Sequence, residues 1–216
     1  MNVKLKEESP KELIFENLKN QEQHTIYFMA RNTLDFLFAV IGLIITSPII
    51  LLFCIVIKLE SKGPAFFLQE RVGLGGKLFY VIKLRSMDVN AEKDGAQWAT
   101  KNDPRVTVVG AFIRKTRIDE IPQLLNILKG DMSLIGPRPE RLIFTEQFNQ
   151  EVPGFVKRLV IKPGLTGWAQ VNGGYDITPN EKLKLDQYYI NNMGLILDMK
   201  ILLKTIKVCL TGNGAR

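Results

Sequence analysis

The sequence predicts an α+β protein, mainly helical, in which one apolar helical segment is long enough to enter a membrane and amphipathic helices accompany a small body. Three observations carry this. A single apolar run is long enough to enter a bilayer, strand-like pieces follow it around a glycine turn, and helical spacing with start and stop signals dominates the second half. The 216 residues suit one compact unit with an appendage rather than two domains. An apolar share of 46% argues against disorder, and one apolar run is too few for a polytopic transporter.

Residues 1–30 form a tail in which Leu13, Ile14 and Leu18 fit either an amphipathic surface helix or a disordered segment. Phe36 to Ile57 then runs 22 residues without a charge, between Asp35 and Lys58. It begins too late for a signal peptide and lacks a basic lead-in, so it reads as a retained segment. Ser47 and Pro48 at its centre predict a break or kink, because proline removes a backbone donor and clashes with the preceding turn. A kinked crossing helix, a hairpin dipping into one leaflet and a buried core helix all remain open. Lys19 and Arg31 on one flank and Lys58, Lys62, Arg71 and Lys77 on the other give no charge bias to choose by.

Ala65 to Val81 reads as strand pieces around Gly73, Gly75 and Gly76, with neither Walker nor GxGxxG spacing. Residues 88–105 read as a loop. A short helix follows, opening on Asp119-Glu120 with Pro122 in its first turn and closing at Lys129-Gly130. Gly136-Pro137-Arg138-Pro139 and Lys162 to Trp168 read as rigid turns. Helices from Glu181 to about Tyr189 and from about Leu195 to Leu210 finish the chain. The last sets Lys200, Lys204 and Lys207 against Leu195, Leu202, Ile206 and Cys209, a pattern that fits either a headgroup plane or the protein's own core.

Charge narrows the function. The first 31 residues cancel, so the net charge of +7 lies wholly in residues 32–216, as 24 bases against 17 acids. Such a body attracts phosphates or anionic membrane lipids; aromatics interleaved with bases, as nucleic acid binding would need, are missing. His24 is the single histidine, which removes Ser-His-Asp chemistry, and Cys54 and Cys209 cannot build a zinc site. Chemistry then falls to carboxylates, hydroxyls, bases such as Lys, or a bound ion. Asp119 and Glu120, in a helix's first turn, suit a nucleophile or metal ligand, because the helix's positive end favours their anions. Arg114, Lys115 and Arg117 precede them as candidate phosphate neutralisers. Arg138, stiffened by two prolines, suits bidentate phosphate binding, and Lys83 and Arg85 share one strand face. Asp186 and Asp198 are weaker candidates, as metal ligands or helix caps. Trp168 suits stacking on a base or sugar, or anchoring its own loop.

PAFFLQERVGLGGKLFYVIKLRSM (64–87), DPRVTVVGAFIRKTRIDEIPQLLNILKGDMSLIGPRPE (103–140), KPGLTGWAQVNG (162–173) and KLDQYYINNMGLILDMKI (184–201) resemble the bacterial sugar transferase family of monotopic phosphoglycosyl transferases. The similarity covers about residues 31–210 in one order and is that of the small catalytic form. It implies transfer of a phosphosugar from a UDP-sugar to undecaprenyl phosphate, with release of UMP, as the first membrane step of glycan assembly (O-antigen, capsule, exopolysaccharide or glycoprotein). Asp119 matches the family's nucleophile, which forms a covalent phosphosugar-enzyme, and Glu120 its positioning or metal-binding neighbour, with Mg²⁺ as cofactor. Lys83, Arg114 and Arg138 fall in matching blocks as phosphate contacts. Ser47-Pro48 matches the family's helix break, implying a re-entrant membrane helix over 31–58 and a cytoplasmic catalytic domain over 59–216. The implied location is the bacterial inner membrane, on its cytoplasmic leaflet, with Arg31 and Asp35 at headgroup level and downstream glycosyltransferases as partners. Arg117-Ile118 and Gly173-Gly174 depart from the family's pattern at positions that bear on sugar choice. The competing readings are a membrane-anchored scaffold or binding protein and a catalytic domain on a crossing anchor.

Overall fold

The computed structural model describes residues 25–211 apart from 94, 96, 98, 99, 101, 102 and 174–176, so the readings made for the tail at Leu13, Ile14 and Leu18 lie outside the described residues. Helix α1 (Thr25–Glu60) is long and apolar enough to cross a membrane, and only 6% of its most apolar window is buried in the protein. A soluble core helix would be mostly buried. Pro48 lies inside α1, and the helix continues through it. Proline cannot donate to the carbonyl four residues back; the Ser47 hydroxyl donates to that Ile44 carbonyl instead, at 2.9 Å. The expected break is thus bridged by a side chain.

The protein-facing stripe of α1 is polar at its start. Arg31, Asp35 and Ala39, spaced by helical turns, are all buried. Arg31 donates to the Ser133 hydroxyl (2.7 Å) and the Ile135 carbonyl, and Asp35 accepts from the Leu134 amide at 3.1 Å. Both face into the body rather than toward headgroups. Farther along, Ile57 joins Ala65, Leu84 and Ile113 in an apolar cluster, with Phe53 and Ile118 against it.

Strands β1 (Phe66–Val72) and β2 (Leu78–Leu84) pair antiparallel around the glycine turn, in the register Phe67 to Lys83 and Arg71 to Phe79. Thr107 caps helix α2 (Val108–Lys115), accepting from the Gly110 amide at 2.9 Å. The segment expected as one short helix divides into a 3₁₀ turn (Ile118–Gln123) and helix α3 (Leu124–Leu128), with Gly130 at φ 81 ending it. Fully buried Asn126 accepts from the Ile82 amide (3.0 Å) and donates to the Tyr80 carbonyl (2.7 Å), so its amide docks α3 on the free edge of β2.

The two proline-glycine loops meet through a short parallel pair, β3 (Ser133–Ile135) and β4 (Gly164–Thr166). Glycine is required there: a Cβ on Gly164 would lie 2.0 Å from the Gly136 nitrogen, and one on Gly167 would lie 2.1 Å from the Gly136 oxygen. Helix α4 (Leu142–Glu151) and a 3₁₀ turn (Phe155–Val160), unmarked in the sequence reading, lead into β4. Helices α5 (Trp168–Gly173), α6 (Pro179–Asn191) and α7 (Leu195–Thr211) complete the body. A reciprocal Thr178–Glu181 capping box starts α6.

The faces of α7 differ from the simple two-sided expectation. Asp198 and Ile201 face inward, whereas Leu195, Ile196, Met199, Leu203 and Ile206 are exposed. Leu202 packs on the core cluster of Ile135, Tyr189 and Ile201. Cys209 is exposed too. The outward stripe is therefore apolar in its own right, which fits the bilayer surface better than a solvated face.

Candidate active site

Between the β1–β2 hairpin, the 3₁₀ turn at Ile118–Gln123 and the Gly136–Pro139 loop lies a cavity of about 340 Å³. Among the described residues, its lining carries ten bases against five acids. The sequence candidates Lys83, Arg114, Asp119, Glu120 and Arg138 all line it, although they come from three separate stretches of chain.

Glu120 is the electrostatic hub. Its Oε1 accepts from Lys83 Nζ at 3.3 Å and from Arg138 Nη2, and its Oε2 lies 3.9 Å from Arg117 Nη1. Burial opposes its charge, yet Arg138 and Lys83 outweigh burial and hold the carboxyl well below its usual range. The same contact raises Arg138, whose largest influence is the Glu120 charge. Burial lowers Lys83 against the pull of Glu120.

Asp119 behaves oppositely. Burial first, and the Glu120 anion second, push it up to about 6, with Lys83, Arg114 and Arg138 pulling it back. The expectation that a helix terminus would favour its anion fails because the acids sit in a 3₁₀ turn where burial dominates. The result is a pair with separated ionisation: Glu120 stays ionised and pinned, while Asp119 is the more basic carboxylate.

Two adjacent carboxylates supply hard oxygen donors, and Mg²⁺ is commonly held by one or two carboxylates with substrate phosphates and water completing its shell. The donor set at Asp119 and Glu120 fits that pattern. Among the described residues no group of three or more His, Cys, Asp or Glu side chains could form a closed protein cage.

The weaker acids lie elsewhere. Asp186 is buried mid-way along α6, not at a cap, and pairs with Arg158 at 2.7 Å. Burial raises its carboxyl, opposed by Arg158. Arg158 lines the cavity and donates to the Arg138 carbonyl at 2.8 Å, so Asp186 acts on the site by holding the loop that carries Arg138. Asp198 is away from the cavity lining; its carboxylate accepts from Tyr27 (2.6 Å) and Tyr189 (2.8 Å), tying α7 to the start of α1. Trp168 also lies off the cavity. It stacks on Tyr188 with centroids 5.5 Å apart, under the ammonium groups of Lys200 and Lys204, and so anchors its own loop.

Sequence reasoning missed a second ring of charges. Glu140, directly after the Gly-Pro-Arg-Pro run, is buried between Lys182 (2.6 Å) and Arg71 (3.7 Å). Glu92 pairs with Arg141 at 2.7 Å. Arg85, one step past β2, donates to the Ser61 and Lys62 carbonyls at 2.8 Å and to the Ile57 carbonyl at 3.3 Å. It thereby caps the end of α1 while lining the cavity. The period-2 spacing of Lys83 and Arg85 placed them together, but nothing in the sequence marked carbonyls as Arg85's targets.

The model of the family described as bacterial sugar transferase matches residues 26–212. The chain belongs to that family. It is 50% identical over 194 residues to the UDP-N-acetylgalactosamine-undecaprenyl-phosphate N-acetylgalactosaminephosphotransferase of Aeromonas hydrophila, covering 88% of this chain and 46% of that protein. It is 40% identical to the UDP-glucose:undecaprenyl-phosphate glucose-1-phosphate transferases of Escherichia coli strain K12, over 80% of this chain and 38% of that protein, and of Caulobacter vibrioides, over 87% and 72%. The chain thus spans less than half the length of the Aeromonas and Escherichia sugar transferases. Family membership and the apolar helix α1 together associate the chain with a membrane.

Proposed function

We propose that this chain is a phosphoglycosyl transferase that moves a phosphosugar from a UDP-sugar to undecaprenyl phosphate, with Asp119 as nucleophile. The observation that carries the reading is the convergence of Asp119 and Glu120 with Lys83, Arg114 and Arg138 on one cavity. An Asp119 oxygen attacks the sugar-linked phosphorus; the bond from that phosphorus to the bridging oxygen breaks, and UMP leaves with the bonding electrons. An oxygen of the lipid phosphate then attacks the same phosphorus, expelling the carboxylate and leaving an undecaprenyl-diphosphate sugar. Splitting the exchange into two substitutions replaces one difficult encounter of two anions by two easier ones. Lys83, Arg114 and Arg138 offset the phosphate charge, and Glu120 fixes the two bases that touch it. Mg²⁺ held by Asp119 and Glu120 would add charge neutralisation at the diphosphate.

We further infer that α1 enters the inner membrane from its cytoplasmic face without crossing it, and contacts of both its ends with the catalytic body support this. Arg31 and Ile57 both contact the catalytic body. They lie about 39 Å apart along a straight α-helix, more than the roughly 30 Å of a bilayer's apolar core. A helix crossing the bilayer would carry one of these ends away from a body on the other side.

Incubating the purified protein with a panel of UDP-sugars and undecaprenyl phosphate tests the reaction. UMP release with at least one sugar, abolished in Asp119→Asn, is the expected result. Salt-sensitive vesicle binding with no UMP from any sugar would instead favour a membrane-bound scaffold.

A further inference from the structure

We propose that Arg117 contacts phosphate oxygens arriving at Asp119 and sets the affinity for the substrate that carries them; this rests on the transferase reading of the site. Among the described residues, Arg117 is the only non-glycine with positive φ, at φ 58 and ψ 18. That conformation presses Cβ toward the carbonyl oxygen and is disfavoured for every L-residue, least so for Asn and Asp. Glycine would adopt it freely. The backbone gains nothing from arginine at this position, so any gain must come from the side chain.

The left-handed step reverses the chain between α2 and the 3₁₀ turn that bears the dyad. It sends neighbouring side chains to different places: Ile118 packs on the apolar cluster of Ile57, Leu84 and Ile113, while Arg117 and Asp119 line the cavity. Arg117 Nη1 lies 3.9 Å from Glu120 Oε2, whereas Lys83 and Arg138 already serve Oε1. Around the dyad, Lys83, Arg114, Arg117 and Arg138 bring four positive charges against two carboxylates. A planar guanidinium two residues from Asp119 is suited to bidentate phosphate binding.

Two sources present the same chemistry, the nucleotide diphosphate and the lipid phosphate. Arg117 belongs to the cavity wall, and the test below tells the two apart.

The test compares wild type, Arg117→Ser, Arg117→Gly and Arg117→Lys as full chains. Each is assayed for steady-state turnover, first with the UDP-sugar (UDP-N-acetylgalactosamine or UDP-glucose) varied at fixed undecaprenyl phosphate, then with undecaprenyl phosphate varied at fixed UDP-sugar. The Ser and Gly variants are expected to raise one KM by on the order of ten- to a hundredfold, the cost of a lost charge-assisted contact. Lys should recover part of it, and kcat should change less than KM. A raised donor KM assigns the contact to the diphosphate, and a raised acceptor KM to the lipid phosphate. The Gly variant should melt at or above the wild-type temperature, because glycine relieves the backbone. Both KM values within twofold of wild type, or a lowered melting temperature with unchanged KM, would overturn the proposal. If wild type releases no UMP from any sugar of the full UDP-sugar panel, the transferase reading fails and takes this inference with it.

Discussion

Asp119 carries its charge at a cost that Glu120 does not bear. Its folded pKa of about 6 lies above the ordinary value of 3.8, so the folded state binds the proton more tightly than the unfolded chain. Stability therefore falls as pH rises from about 4 through about 6, and the penalty is complete above that. Asp119→Asn removes a charge that is buried unfavourably. The variant should lose UMP release yet melt higher than wild type at pH 8, by up to about 3 kcal/mol at about 1.4 kcal/mol per unit, and by little near pH 4; calorimetry at the two pH values checks this. Activity should follow the anion, with donor turnover rising through a midpoint near pH 6 to a plateau, measured as initial UMP release. Asp186 shows a different residue-scale logic. Its partner Arg158 is just as buried, so Asp186→Asn strands a cation and should cost about 3–5 kcal/mol in urea unfolding.

At the scale of elements, the loops carrying the chemistry are placed by contacts that local spacing does not encode. The strand pieces, the glycine turn, the dyad's helical start and the last two helices were readable because each has a period or a punctuating residue. The parallel β3–β4 pair was not. Its strands are three residues each and lie about 30 positions apart, and only the close approach of Gly136, Gly164 and Gly167 requires them to touch. The candidate site was legible as a set of residues, since Lys83, Arg114, Asp119, Glu120 and Arg138 fall in motifs. Its electrostatics were not, because the upward shift of Asp119 depends on a burial that a linear pattern cannot show. Ser47-Pro48 predicted a break or kink, but α1 runs on through Pro48, with the Ser47 hydroxyl donating to the Ile44 carbonyl. Arg85 makes an element-scale prediction. It joins the end of α1 to the end of β2 through three carbonyls, so Arg85→Ala should loosen that joint. Faster limited proteolysis around Ser61 to Gly63 in detergent, with UMP release lowered several-fold, is the expected outcome.

For the whole molecule, the apolar outer surfaces of α1 and α7 and the basic cavity belong to one arrangement, which on the proposed reading seats the body where a soluble nucleotide sugar and a lipid phosphate can meet. The unequal charge of the sequence fits it, since ten bases gather around a cavity whose acids number five. The membrane helix is part of this body rather than a tether, because its buried Arg31 and Asp35 grip the β3 segment that leads to Arg138. The central claim is that Asp119 becomes covalently bonded to the phosphosugar. Intact and peptide mass spectrometry after a brief incubation with a turned-over UDP-sugar, in the absence of undecaprenyl phosphate, tests it most directly. The account predicts UMP released in proportion to enzyme and one phosphosugar added to the peptide containing Asp119, discharged when the lipid phosphate is supplied and absent in Asp119→Asn. UMP release that requires the lipid from the outset, with no adduct on that peptide, would contradict it.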